Sequence, residues 1–307
     1  MNIGFGAPVS GAWATPANLA AFARAAERRG YHSLWSFQRL LVPAGSGMDP
    51  VYRSVLDPMA ALSFAAAVTG QIRLGVAIVN LPFVSPGYLA KQAASLDVLS
   101  GGRHDLGLGI GWMPEEFALT GADMAGRGAR AAEYIEVLRT LWAGCDRSFE
   151  GRFYRVPAGT QAPSPVQPGG PPILLGGMAR AALERIGRIA DGWITASRTD
   201  LAKMPQLISV IKDAAASAGR DPEALRFICR GVVRAGAPVA GPDGQRLLLS
   251  GDYEQIRADA EWLGASGVTE VFYDLNWDPL IGSPDADPIA AVARAELIME
   301  SLAPGAS

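Results

Sequence analysis

Hydrophobic and polar positions along the chain alternate between short apolar runs and longer amphipathic ones. Eight short runs read as strands: Asn2–Gly6, Ser33–Ser36, Ile72–Val79, Asp105–Ile110, Pro172–Leu175, Gly192–Ala196, Leu225–Val233 and Val268–Tyr273. Helical patterns follow over Ala17–Arg29, Pro58–Val68, Arg127–Trp142, Ala179–Ile189, Leu201–Ala218, Tyr253–Leu263 and Asp287–Leu302, with one more opened by Ser85-Pro86 and stopped by Ser100-Gly101-Gly102. Thr15-Pro16 supplies an N-cap with proline at the first helical position, while Gly30, Gly219 and Gly264 sit where helices stop. In Arg127–Trp142 the stripe Ala131, Tyr134, Ile135, Leu138, Leu141 and Trp142 is a core-facing surface.

Repeated strand–helix units imply a parallel sheet, and eight of them close into a (β/α)8 TIM barrel with insertions, a single domain spanning residues 1–307. A doubly wound sheet also takes alternating elements but does not need eight regular turns. Ser148–Pro172, with prolines at 157, 163, 165, 168, 171 and 172, reads as an irregular insertion. It follows a helix, so it belongs beneath the barrel.

Barrel topology places functional groups at the C-terminal ends of strands and in the loops after them. The groups assigned to that mouth are Gln38, Arg39, Asn80, Trp112, Glu115, Glu116, Gly176, Gly177, Ser197, Arg198, Arg230, Asp274, Asn276 and Trp277. The long connections Phe37–Asp57 and Ala235–Ser250 are lid candidates. His32 and His104 precede their strands, fall on the opposite face and read as structural.

The stretch Leu106–Gly121, LGLGIGWMPEEFALTG, stands out. Gly107, Gly109 and Gly111 alternate with large apolar residues, and glycine inside a strand marks a bend or a close approach. That approach is either a ligand at the strand end or tight packing under a helix. The spacing does not fit G-x-G-x-x-G, and no Walker phosphate loop occurs. Gly176-Gly177, between an apolar strand and a helix start, suits a phosphate seat or a plain helix entry. Trp112 and Trp277 are stacking surfaces or core packing. Glu115 and Glu116 suit acid–base work, helix capping or solvation.

Composition narrows the chemistry. The net charge of −3 over 307 residues, without a run of five like charges, argues against nucleic acid and anionic membranes as partners. Two cysteines (Cys145 and Cys229) and two histidines make a His/Cys metal site unexpected, and the cysteines read as reduced thiols of a cytoplasmic protein. Neither a signal peptide nor a membrane span is expected.

GVAIVNLPFVSPGYLAKQAASLDVLSGGRHDLGLGIGWMPEEF (Gly75–Phe117) resembles the bacterial luciferase-like family, as do GYHSLWSFQRLLVP, FEGRFYRV, PPILLGG and ADGW in the same order. The style is closest to the branch that uses the deazaflavin coenzyme F420; a sibling branch uses FMN. The resemblance implies a (β/α)8 barrel, usually a homodimer. It implies a cofactor ring over the strand ends, against a strand-three bulge with a non-prolyl cis peptide, by position Ala77–Ile78, and a phosphate on Gly176-Gly177. With the mouth map, the cofactor-binding set becomes Gln38, Ala77, Ile78, Gly111, Trp112, Gly176, Gly177 and Ser197. Arg39 would orient a carbonyl or anionic group, and Glu115 or a water would supply a proton. The chain departs from the family at Gln38-Arg39, where many F420-dependent relatives have an acidic residue followed by His or Arg. It also has Trp112 where sugar-phosphate-oxidising relatives place a Glu, so that substrate class is not expected. Three functions follow: hydride transfer between F420 and a small, fairly apolar organic substrate; monooxygenation with FMN reduced by a separate reductase; or a flavin-binding barrel without turnover.

Overall fold

A computed structural model describes residues 1–144, 146–241 and 244–305. Eight parallel strands close into a barrel: β1 (Asn2–Gly6), β2 (Ser33–Ser36), β3 (Arg73–Asn80), β4 (His104–Gly109), β5 (Ile173–Gly176), β6 (Gly192–Ile194), β7 (Arg226–Val232) and β8 (Glu270–Asp274). Each pairs with its neighbours in sequence, and β1 closes on β8 through Asn2–Phe5 against Glu270–Tyr273. The helices around it are α1 (Pro16–Arg28), α2 (Pro58–Ala66), α3 (Pro86–Ser100), α4 (Pro114–Thr120), α5 (Arg127–Trp142), α6 (Arg180–Ile189), α7 (Met204–Ser217), α8 (Tyr253–Ala265) and α9 (Pro288–Ser301). The expected capping is realised at α1, where the Thr15 side chain accepts the Asn18 N–H.

The barrel is filled, not hollow. Trp35, Ala77, Leu174, Ile194, Ile228 and Phe272 form an inner cluster, separate from the larger core between strands and helices. Trp35 stacks on Phe272 with ring centroids 5.2 Å apart. Gly75 makes room for that indole, since a Cβ there would lie 2.3 Å from its ring carbons.

Beneath this layer the N-terminal strand ends carry a buried ionic floor. Asp105 accepts from Arg73 (2.7 and 2.8 Å) and Arg226 (2.7 and 3.2 Å), and Arg226 reaches Glu270 at 3.5 Å. Glu270 also accepts from Ser33 and from the Trp35 indole. Burial alone would raise the Asp105 pKa, but the Arg73 hydrogen bonds and the Arg226 charge outweigh it and hold the carboxyl below its usual range. His104 is fully buried with Nδ1 3.0 Å from the Leu74 carbonyl, and desolvation keeps it below the ordinary histidine range. Both histidines lie at this floor, His32 3.9 Å from Glu270, away from the mouth.

Only the end of the proline-rich stretch lies on this side, at Val166 and Gln167. Phe153 packs near Arg130 early in α5, and Gln161 donates to the Gly87 carbonyl at the start of α3 at 2.9 Å. The stretch therefore runs up the outside of the barrel, and its first half is not irregular. Arg147–Glu150 and Arg155–Gly159 form an antiparallel hairpin, and the Glu133 carboxylate gathers the turn N–H groups of Arg152, Phe153 and Tyr154. The remainder is a strap. Val166 and Gln167 donate backbone N–H groups to Asp97 (2.7 and 2.9 Å), and the Gln167 side chain donates to the His104 carbonyl at 2.7 Å.

Cys229 is buried and unpaired, and burial pushes its thiol up to about 12; Cys145 lies outside the described residues. No helix among the described residues is long and apolar enough to cross a membrane.

Candidate active site

The mouth is built on an irregularity in β3. Its pairing with β4 slips between Val76 and Val79, and the Ala77–Ile78 peptide inside the slip is cis. The alternating glycines of β4 receive this bulge. A Cβ on Gly107 would lie 2.0 Å from the Val76 carbonyl oxygen, and one on Gly109 would lie 1.9 Å from Ile78 Cδ1. The close approach at those two positions is therefore made by the neighbouring strand. Gly111, at φ +70°, turns the chain out and donates its N–H to Asn80 Oδ1 at 3.1 Å. Asn80 in turn donates its backbone N–H to Gln38 Oε1 at 2.9 Å, so Gln38 and Gly111 are joined through one residue at the tip of β3.

Arg39 follows at the tip of β2. Its guanidinium lies 4.3 Å from the Tyr52 ring centroid and 5.3 Å from that of Trp112, and 3.1 Å from Glu116 Oε1. Glu116 also accepts the Leu40 and Leu41 N–H groups at 2.9 and 3.4 Å, tying the start of the 37–57 loop to α4. The two adjacent glutamates thus part company. Glu116 is buried and engaged, whereas Glu115 is exposed on the first turn of α4, as is Trp112 (60% exposed) just before it.

Across the mouth, Gly176 ends β5 beside the bulge, with space for a Cβ only in ordinary contact with Ile78, at 3.4 Å. The Gly177 carbonyl accepts from the Trp193 indole at 3.0 Å. Then α6 starts without a side-chain cap and without an acidic residue in its first turn. Its free N–H groups and dipole suit an anion.

A buried cation completes the wall. Arg230 on β7 donates Nε–H to Asp274 Oδ2 at 2.7 Å and approaches the Ala77 carbonyl at 3.3 Å. Its guanidinium is 4.5 Å from both the Phe37 and Trp277 ring centroids. Asp274 accepts from the Asn276 side chain at 2.8 Å, and Asn276 accepts from the Trp13 indole at 3.2 Å. Trp277 is accordingly buried wall, not an open stacking face.

Gln38, Arg39, Ala77, Ile78, Gly111, Trp112 and Gly176 therefore gather around the bulge, and Gly177 adjoins them. Ser197 stands farther round, on the wall of a second cavity beside Arg230. Among the described residues, Glu115 makes no hydrogen bond or ion pair with the set. Tyr52 was missed by sequence reasoning; its only signal was an aromatic residue inside a Pro/Gly-rich loop.

A closed parallel barrel whose strand tips hold a bulged cis peptide, an uncapped helix start and an arginine–aromatic wall defines a TIM-barrel enzyme scaffold. The chain belongs to the luciferase-like monooxygenase family, whose model matches residues 3–240. It is 35% identical over 209 residues to an uncharacterized protein of Mycobacterium tuberculosis (64% of this chain, 71% of that protein). It is 34% identical over 176 residues to an FMNH(2)-dependent dimethylsulfone monooxygenase of Pseudomonas putida (56% of this chain, 47% of that protein). An F420-dependent secondary alcohol dehydrogenase superimposes with a TM-score of 0.78 over 98% of both chains at 16% identity, a likeness of fold.

Proposed function

We propose that the protein is an F420-dependent oxidoreductase acting on a small organic substrate with an apolar reacting part. The observation that carries this reading is the seat itself: the Ala77–Ile78 bulge facing Gly176, next to the uncapped start of α6. These residues fit a flat ring bearing a phosphate. Ala77, Ile78, Gly111 and Trp112 would flank the ring, Gln38 would hold the edge of the seat through Asn80, and Gly176 and Gly177 would take the phosphate side, with Ser197 farther round the wall. When bound, a deazaflavin supplies a hydride-carrying carbon and reacts poorly with oxygen. The chain's own task is to position the substrate and manage charge and a proton. Arg39, held by Tyr52, Trp112 and Glu116, would orient a carbonyl or anionic group that reaches the tip of β2. Glu115 at the rim, or a water, would supply the proton.

The likeness of Gly75–Phe117 to the F420-using branch of the family favours the deazaflavin. The second reading, an FMN monooxygenase fed by a separate reductase, is favoured by the identity to the dimethylsulfone enzyme. We also take the assembly to be a homodimer and the setting to be cytoplasmic.

The test is equilibrium titration of the purified chain with F420 and with FMN, followed by fluorescence. Micromolar F420 binding with much weaker FMN binding is expected. Tight FMN binding with no F420 binding would reverse the assignment, and binding of either without turnover would leave a carrier barrel.

A further inference from the structure

Past the tips of β6 and β7, between residues 197–203 and 245–248, lies a cavity of about 630 Å³. That is within the range of small-ligand sites. Its walls carry Arg198, Lys203, Arg230, Arg234 and Arg246, against one acidic lining residue among the described residues, Asp200. Three of the cations are answered. Arg230 is held by Asp274, Arg246 by Asp259 at 2.6 and 2.7 Å, and Lys203 lies 3.1 Å from Asp200. Arg198 and Arg234 have no carboxylate partner among the described residues. Both line the same concavity, and like charges gathered there repel each other. A concave wall focuses their field more than a flat surface would, so the arrangement suits an anion. The fork of an arginine matches a carboxylate or phosphate in two parallel hydrogen bonds. Ser197 and Thr199 add hydroxyl groups to the same wall.

The cavity also connects to the chemistry. Arg230 lines it, and the same guanidinium approaches the Ala77 carbonyl in the β3 bulge. A chain entering the cavity therefore starts within one side chain of the mouth.

We propose that this cavity is an anion subsite in which Arg198 and Arg234 bind a carboxylate- or phosphate-bearing chain extending from the mouth. The chain is either the acid end of the substrate or the anionic tail of the coenzyme. Only the naming of these two sources rests on the function proposed above; the subsite itself does not. It deepens that reading by giving a substrate an apolar reacting end and an acidic far end.

The experiment uses the full chain, the single variants Arg198→Ala and Arg234→Ala, and the double variant. Neither side chain is buried, so circular dichroism and melting temperature should match the parent. Calorimetry is run with citrate, F420, a deazaflavin lacking phosphate and tail, and FMN. Citrate binding that weakens roughly tenfold per arginine removed, and weakens with added salt, is the expected result. If F420 weakens in the same proportion while FMN and the tail-less ring do not, the coenzyme tail occupies the subsite. If only citrate weakens, the substrate's acid end does. Citrate affinity that is undetectable in the parent, or equal in parent and double variant, together with unchanged F420 affinity, overturns the proposal. Because citrate needs no cofactor, failure of the F420 assignment alone leaves this test readable.

Discussion

Glu116 shows how much depends on which of two neighbouring glutamates turns inward. At 1% exposure it is the acceptor for Arg39 and for two backbone N–H groups of the loop after β2. Arg39 is itself only 7% exposed. Removing one member of a buried pair strands the other, at a cost of about 3–5 kcal/mol. Glu116→Ala should therefore destabilise the protein by about that much in urea unfolding and release Arg39 from its place. Replacing both residues, as Arg39→Met with Glu116→Leu, should cost clearly less than the two single changes summed. An additive cycle would show that the pair does not couple. The sequence could not choose between Glu115 and Glu116. Both fall in the first turn of a short helix, and burial there is decided by the loop from β2, far away in the chain.

At the scale of elements, the fit between β3 and β4 is the site's foundation. Each β4 glycine meets a different kind of neighbour: Gly107 faces backbone, the Val76 carbonyl at 2.0 Å from a built Cβ, while Gly109 faces the movable end of Ile78. Gly107→Ala should therefore be the more damaging change. Each falls within about 1–3 kcal/mol for overpacking, with Gly109→Ala at the lower end. Denaturant midpoints of the two variants check the order, and equal losses would contradict it. The eight barrel strands were legible from apolar runs and punctuation, and so was the place of the bulge, through the resemblance of Gly75–Phe117. The hairpin at Arg147–Gly159 was not. Its strands are short, polar and exposed, and its turn is held by Glu133 on another element, so neither periodicity nor glycine spacing announced it. Arg230 was placed at the mouth by topology, but its cage of Phe37, Trp277 and Asp274 draws on the ends of two other strands, β2 and β8.

For the whole molecule, the ionic floor sets the response to acid. The Asp105 pKa is lower folded than unfolded, so its carboxylate adds stability that is fully present above the unfolded value. That stability is lost as pH falls through the folded value. Unfolding free energy should accordingly decline below about pH 4, the ordinary aspartate range. Asp105→Asn should cost about 3 kcal/mol or more at pH 7, because Arg73 and Arg226 lose their shared charge, and should flatten the decline at low pH. Urea titrations at pH 7 and pH 3.5 check both; an unchanged acid slope in the variant would remove Asp105 from the account.

At Val166 and Gln167 the strap fastens the underside to α3 and β4 through Asp97 and the His104 carbonyl, well below the strand tips. Foundation and roof are thereby decoupled. The rim can trade one guest molecule for another through changes in its loops, while the footing that keeps the barrel shut stays as it is.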